Sequence, residues 1–429
     1  MFHGVSVPAP DAVRIAVDLP SKQKCRVMAR RADPLPQICR SPSRSRITMN
    51  PLFPDAGSSE GLVWIDSADG SGPSFYGSSP ELVMEGGAGD WDLLERELEL
   101  RGRAGSGGPV PDGAAVGYFR FDGSFRFGFY DSLLPCHGTP GAASPTAPPA
   151  PRLSFRSATD RESYGRMVSA AQEYIRAGDI YQVCLAHRFS APFQGDRLGL
   201  YHALRQASPS PYASFLHLGD ETVLSSSPEC FLRIDGRRIL TRPIKGTRPR
   251  RNGGEEDADE ARDLLLSSKE RAELVMITDL ERNDLGSVCE FGSVRTTDLL
   301  RLESFAQVHH LVSTVEGTLR PDITHAGAVA ACFPGGSVTG APKKRALEII
   351  RELEPVPRDL FTGAVGYFGY DGRTQFSIAI RTVVIREGEA AFHVGAGITA
   401  GSDPLKEWEE TLHKASGILK AAGSQHPLP

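Results

Sequence analysis

Lys245 sits between a proline and a glycine, in Pro243-Ile244-Lys245-Gly246-Thr247, just after a stretch patterned as a strand. Glu229 lies on the strand expected to pair with it. A neutral lysine amine is a nucleophile, and a glutamic acid with a raised pKa gives a proton to a leaving group. A two-residue loop at Asp235-Gly236 puts the two side chains on opposite faces of the hairpin; a three-residue loop with a bulge puts them on one face. Both remain open, and so does a solvated lysine, the ordinary fate of a lone lysine on a strand.

Glu273 falls in a helical pattern. Leu266, Ile277 and Leu280 share its stripe, and Leu264, Leu265, Leu274, Val275 and Met276 make the helix apolar nearly all round. Such a helix is expected to be buried, and a carboxylate on it must be neutral, paired or bound to a cation. A salt bridge is the plain alternative. On the last helix Glu407, Glu410 and Lys414 line up at i, i+3 and i+7, away from the stripe Leu405, Trp408, Leu412, Ala415 and Leu419. This is a solvated face, unless the helix is covered on two sides: Lys406, Glu409, His413, Ser416 and Lys420 already form a polar face of their own. Glutamates in twos and threes suit Mg²⁺, which prefers oxygen ligands and would in turn hold a substrate carboxylate or phosphate.

Pro334-Gly335-Gly336-Ser337-Val338-Thr339-Gly340-Ala341-Pro342-Lys343 is a glycine-rich loop running into a helix. Free backbone N–H groups at a helix start favour an anion, although the spacing is not that of a P-loop and a purely structural turn stays open. Gly395-Ala396-Gly397 offers a second close backbone, and Arg381, on the strand before it, has the fork that grips a carboxylate.

The elements that hold these residues follow from periodicity and turn chemistry. A helix is predicted over 90–101, with strands over 61–65 and 115–121. Thr159 and Glu162 read as a capping box for a helix ending near Gly178. Strands are predicted over 180–189, 223–234 and 238–244, and one long helix over 260–280. A helix starts near Pro342; strands cover 361–370, 374–386 and 389–398; Asp403-Pro404 opens a helix reaching about Lys420. Mixed helices and antiparallel hairpins give an α+β or layered α/β fold. Five stretches are expected: a basic, disordered extension over 1–48, a short N-terminal lobe over 49–133, a Pro/Ala-rich linker over 134–151, a catalytic domain over 152–422 and a tail over 423–429.

Composition narrows the class. Lys and Arg total 48 against 53 Asp and Glu, which argues against nucleic acid as the main ligand. No apolar run approaches the roughly 18–20 residues of a membrane span. The seven cysteines, at 25, 39, 136, 184, 230, 289 and 332, form no CxxC pair, as in a reduced, cytoplasmic protein. The arginine-rich, acid-poor residues 1–48 also have the composition of a transit peptide, so plastid import stays open, as does a true start at Met49.

Taken together the motifs resemble the chorismate-utilising enzymes: the large subunits of anthranilate and aminodeoxychorismate synthases, and the isochorismate and salicylate synthases. The resemblance covers about 152–422. It rests on Ser227-Pro228-Glu229, the Lys245 motif, Lys269 to Glu273, Asp279 to Gly286, Val308 to Ser313, Phe333 to Lys343, Gly363 to Tyr367, Gly395 to Ile398 and Glu407 to Thr411. It implies a layered sandwich of two similar halves, with large antiparallel sheets flanked by helices and the site in a cleft. It implies Mg²⁺ on Glu273 and Glu410, assisted by Glu407, holding the ring carboxylate of chorismate. Arg381, Tyr367 and the Gly395, Ala396 and Gly397 backbone match the enolpyruvyl-carboxylate side. His310 matches the active-site histidine, Lys414 a basic residue near the metal, and Thr339 a substrate contact.

Two positions choose within the family. Anthranilate synthases resemble Pro-Ile-Ala-Gly-Thr where this chain has Lys245; aminodeoxychorismate synthases resemble Pro-Ile-Lys-Gly-Thr. Isochorismate synthases carry a water-activating lysine where this chain has Gln182. The resemblance therefore implies a transaminase-class transferase for folate biosynthesis. It would make 4-amino-4-deoxychorismate from chorismate and ammonia, through an adduct on Lys245 with Glu229 as general acid. Ammonia would come from a separate glutamine amidotransferase subunit. An anthranilate synthase component I is the alternative, and a non-catalytic regulatory subunit a third reading. Cys184 and Ser287 depart from the family pattern.

Overall fold

A computed structural model describes residues 60–136 and 148–424, apart from 252 and 306, and the backbone of two short strands, Val13–Ala16 and Arg26–Ala29. Apart from those strands, the extension expected over 1–48 lies outside the described residues, as do the middle of the expected linker and the end of the tail.

Two antiparallel sheets, of twelve and ten strands, carry the described chain. The first runs through Leu82–Gly86, Phe125–Tyr130, Ala114–Phe119, Ala364–Gly369, Arg373–Ile378, Cys230–Asp235, Arg238–Arg242 and Val308–Thr318 to Ile244–Pro249. The second runs from Gly340–Ala341 through Gln182–Pro192, Glu389–Ile398, Thr382–Arg386, Glu221–Ser227 and Tyr212–Leu218 to Val63–Asp66, Ser74–Gly77 and Leu134–Cys136. Strands from residues 60–136 thus pair directly with later ones: Ala114–Phe119 with Ala364–Gly369, and Val63–Asp66 with Tyr212–Leu218.

Strand alternation explains the layers. Val116 and Tyr118 point between the sheets with Ile65, Phe75, Leu216, Val223 and Val365. Ala115 and Phe119 point the other way, into a cluster with Leu94, Leu285 and Val329 of the helices. On the second sheet Val183, Leu185 and Phe189 face helices that bring Tyr164, Ile349, Leu412 and Ile418. Each buried Val, Leu, Ile or Phe among them contributes roughly 1.5–3 kcal/mol. Helix, sheet, sheet and helix therefore stack as four layers.

Several boundaries differ from the sequence reading. The helix over 161–177 is capped by Asp160, whose side chain accepts the Ser163 N–H, and not by Thr159. The single helix expected over 260–280 is two, Glu255–Leu266 and Ser268–Gly286, broken at Ser267, whose hydroxyl caps the second. Neither helix is buried all round: Leu266, at the end of the first, is 73% exposed, and Val275, in the second, 45%. The strand expected over 223–234 changes sheets at Pro228-Glu229, and the strand expected over 374–386 changes sheets at Ala379–Arg381. These crossings lie side by side. The Arg381 carbonyl accepts the Ser226 N–H, and the Glu229 carbonyl accepts the Ile378 N–H.

Candidate active site

The two crossings place Glu229 and Arg381 between the sheets. Arg381 holds a left-handed backbone (φ 50°), a strained conformation for a non-glycine residue that puts its side chain at the corner. Burial draws its pKa down, against the opposing pull of Glu229. Glu229 is buried; burial lifts its pKa, partly offset by the Ser337 hydroxyl, the Lys245 ammonium, the Ile244 N–H and Lys414. A carboxyl so placed holds its proton to higher pH than an ordinary glutamate.

Lys245 reaches the same point from the next strand. The hairpin turn is a two-residue loop, with Asp235 opposite Arg238, and a bulge follows between Cys230 and Arg233. Beyond Pro243 the chain leaves this hairpin, and Ile244–Pro249 pairs with Val308–Thr318. A second bulge at Gly246 (φ 75°) shifts the register between Lys245 and Thr247. Lys245 Nζ then donates to the Ser337 carbonyl at 3.2 Å. A side chain on Gly397 would begin 2.4 Å from Gln182 Nε2 and 3.8 Å from Lys245 Nζ, so only glycine lets these two groups close over that strand. Ser337 touches Glu229 through its hydroxyl and Lys245 through its carbonyl. Sequence reasoning treated it only as part of an anion-binding loop.

That loop does not present a free row of amides. Gly336 N–H is taken by the Glu281 carboxyl, and the Thr339 hydroxyl donates to Gly335 and Gly336 carbonyls. Lys343 donates to Asp284 at 2.6 Å and to the Cys332 carbonyl.

The acidic group forms one wall. Glu407 is 3% exposed, so its stripe does not face solvent at this position. Lys269 Nζ stands 3.5 Å from Glu407 and 4.0 Å from Glu273, and Lys414 pairs with Glu410 at 2.7 Å. Lys414 also donates to the Gly395 carbonyl. Burial lifts the pKa of Glu273, against Lys245 and Lys269. Burial acts the same way on Glu410, but Lys414, Lys269 and Lys245 outweigh it and leave it below the usual range. Glu273 Oε1 and Glu407 Oε2 are buried and have no hydrogen-bond partner among the described residues. Two orphaned carboxylate oxygens with a lysine beside them fit a divalent cation that completes its shell with water or substrate. As placed, no three His, Cys, Asp or Glu side chains among the described residues form a closed metal cage.

His310 is buried beside this wall. Its Nδ1 meets the Thr247 hydroxyl at 3.0 Å and the Gly246 carbonyl at 3.1 Å. Burial, with Arg381 nearby, draws its pKa down to about 4, so it stays neutral. Ala396 turns its side chain into the helix-facing core, which leaves only its backbone for a ligand. Tyr367, expected on the enolpyruvyl-carboxylate side, lies in the core between the sheets. Its ring packs edge-on to Phe75 and borders a small cavity with Ile65, Tyr212 and Gln375. It lies on the inward face of Ala364–Gly369, three residues along from Ala364, which pairs with Ile378 near the crossing.

The sequence profile of the chorismate binding enzymes matches residues 133–420. The chain belongs to the chorismate binding enzyme family. It is 47% identical over 287 residues to anthranilate synthase component 1 of Thermus thermophilus, covering 67% of this chain and 61% of that one. It is 46% identical over 269 residues to an aminodeoxychorismate synthase of Streptomyces griseus, covering 62% of this chain and 37% of that one. The chain thus spans about six-tenths of the first relative and less of the second. Most of the similar curated relatives bear the anthranilate synthase name. The crystal structure of anthranilate synthase component I from Streptococcus pneumoniae superimposes with a TM-score of 0.71 at 28% identity, covering 81% of this chain and 92% of that one. The layered fold expected from sequence is the fold of these chorismate-utilising proteins.

Proposed function

We propose that this protein aminates chorismate, with Lys245 as nucleophile, to give 4-amino-4-deoxychorismate. The observation that carries the reading is the placement of Lys245. Its Nζ is turned into the cleft against the Ser337 turn, and its charge acts on Glu229, Glu273 and Glu410. A solvated strand lysine would have no such surroundings.

Having given up its ammonium proton to solvent, Lys245 attacks C2 of chorismate as the neutral amine while the C4 hydroxyl departs, and Glu229, with its raised pKa, protonates that hydroxyl so that it leaves as water. Ammonia then adds at C4 and expels the lysine, so two displacements replace one direct substitution. Arg381 would fork the enolpyruvyl carboxylate beside the Gly395–Gly397 backbone. Neutral His310 would offer Nε2 to the substrate while its Nδ1 is held by Thr247 and Gly246. Glu273 and Glu407, with Glu410 next to them, would hold Mg²⁺, which when bound neutralises the acidic wall and grips the ring carboxylate. Gln182 replaces the lysine that would activate water, so ammonia is the second nucleophile, delivered by a glutaminase partner.

A second reading, amination at C2 to give anthranilate, is favoured by the names of most relatives. Incubating the full chain with chorismate, ammonium and Mg²⁺ separates the two. Fluorescent anthranilate as the product would sink the Lys245 reading. The expected result is a non-fluorescent product that yields 4-aminobenzoate only after a lyase is added. Mass spectrometry of the parent incubated with chorismate and Mg²⁺ but without ammonium should also find a chorismate-derived adduct on Lys245.

A further inference from the structure

Both reacting groups lean on one short turn, and that turn is held from behind by a carboxyl that the proposed chemistry does not use. Glu281 lies in the Ser268–Gly286 helix and is 3% exposed. Its Oε1 accepts the Gly336 N–H at 3.1 Å, and its Oε2 faces the Thr241 hydroxyl at 3.5 Å. The contact is close-fitting. A Cβ on Gly336 would fall 2.7 Å from Leu280 Cδ2 and 3.1 Å from Glu281 Oε1. The next residue is Ser337, which meets Glu229 with its hydroxyl and Lys245 with its carbonyl.

A carboxyl buried in an apolar setting costs free energy unless its hydrogen bonds repay it. A leucine would fill the same space without that cost. The hydrogen bond to Gly336 is therefore the feature to explain.

We propose that Glu281 is a positioning residue, whose buried carboxyl fixes the Gly336–Thr339 turn so that Ser337 keeps Glu229 and Lys245 in register with each other. This rests on the reading of Glu229 and Lys245 as the reacting pair.

The groups facing Glu281 come from several elements: Asp284 on its own helix, Lys343 opening the Lys343–Leu353 helix, Glu229 at the sheet crossing and Cys332 closing the His325–Cys332 helix. The one cation among them is already held by Asp284 and the Cys332 carbonyl. Burial, with the Asp284 charge adding to it, pushes Glu281 up to about 8. As placed it accepts from both the Gly336 N–H and the Thr241 hydroxyl. Near neutrality it is an uncharged acid; above about pH 8 it ionises and sets a second buried negative charge behind Glu229, so the pocket behind the turn holds least buried charge below about pH 8.

The test compares Glu281→Gln and Glu281→Leu with the parent, as full chains supplied with chorismate, ammonium and Mg²⁺. Leucine removes the acceptor for Gly336, so kcat should fall about tenfold or more while KM for chorismate moves less than about threefold. Glutamine keeps an acceptor and a donor and cannot ionise, so it should restore most of that kcat. With each rate scaled to its own value at pH 7, Glu281→Gln should exceed the parent by about fivefold at pH 9. A glutamine-to-parent ratio that stays flat with pH overturns the proposal, and this holds even if Glu281→Leu fails to fold. Full kcat in Glu281→Leu overturns it as well. If Lys245→Ala and Glu229→Gln are inactive while the Glu281 variants match the parent, this inference fails alone. If Lys245→Ala and Glu229→Gln are fully active, the reading of the site fails and takes the inference with it.

Discussion

Glu229 and Glu281 are both carboxyls pushed above the ordinary glutamate range by burial, but burial serves them differently. Glu229 opens onto the cleft and meets Lys245, so its proton is available for transfer. Glu281 faces a backbone N–H, so its proton serves only the local structure. Replacing Glu229 by glutamine keeps the shape and removes the proton, and kcat should fall by roughly 10²–10⁴. In the parent, activity that depends on protonated Glu229 declines as pH rises through its raised pKa. Stability carries the same signature for Glu281. Its folded pKa, about 8, exceeds its ordinary 4.5, so the folded state binds the extra proton within that window. Stability therefore falls as pH climbs from 4.5 to 8, by an amount on the order of 5 kcal/mol. Glu281→Gln should flatten that slope, so that urea midpoints of variant and parent diverge in the variant's favour as pH rises. A parent whose midpoint does not change between pH 5 and 8 would contradict the assignment. In sequence, Glu229, Lys245 and the three acidic-wall glutamates were legible because their motifs are specific. Ser337, Glu281 and Lys269 were not, because what each does depends on a neighbour brought from 55 to 138 residues away.

Elements were legible where one periodicity ran from cap to cap. The Pro404–Ala421 helix was read almost to the residue, because Asp403 caps it and Pro404 opens its first turn. Its cap can be tested separately from the site. Asp403 accepts the Leu405 and Lys406 N–H groups, so Asp403→Ala should cost about 1 kcal/mol of stability. Thermal melting should drop by roughly 1–3 °C, and an unchanged melting point would mean that the first turn is held by packing alone. Elements were illegible where one pattern continued through a change of partner. The apolar alternation over 221–235 does not stop at Pro228, nor does that over 373–386 stop at Ala379, yet each stretch belongs to two sheets. Hydrophobic periodicity reports that a face is buried and says nothing about which layer buries it. The two unseen crossings are also where Glu229 and Arg381 project into the cleft. The long helix failed for a related reason: Ser267 interrupts a run of leucines whose outer members, such as Leu266, are exposed.

At the scale of the molecule, the first sheet supplies Glu229 and Lys245 at its strand ends, the second supplies Arg381 and the Gly395–Gly397 backbone, and two helices supply the acidic wall. No described helix is long and apolar enough to cross a membrane. The wall joins Ser268–Gly286, which packs on the first sheet, to Pro404–Ala421, which packs on the second. A cation held by Glu273 and Glu407 would therefore tie the two sheet layers together. Without one, a buried carboxylate oxygen on each helix has no hydrogen-bond partner among the described residues, and their charge is offset by Lys269, half exposed, and by Lys245 acting on Glu273. Metal binding to the folded state alone stabilises it by about 2.7 kcal/mol at a hundredfold excess over Kd. Mg²⁺ should then raise the melting temperature of the parent by roughly 2–6 °C. Glu407→Gln should lose that rise, and without metal it should be about as stable as the parent, since removing a buried charge crowded by Glu273 and Glu410 offsets the lost ion pair with Lys269. Glu410→Gln should keep part of the rise, because the Glu410 carboxylate is already paired with Lys414. Differential scanning calorimetry across a Mg²⁺ titration measures all three. An equal rise in parent and Glu407→Gln would place the cation elsewhere and leave the acidic wall as an ion-pair network.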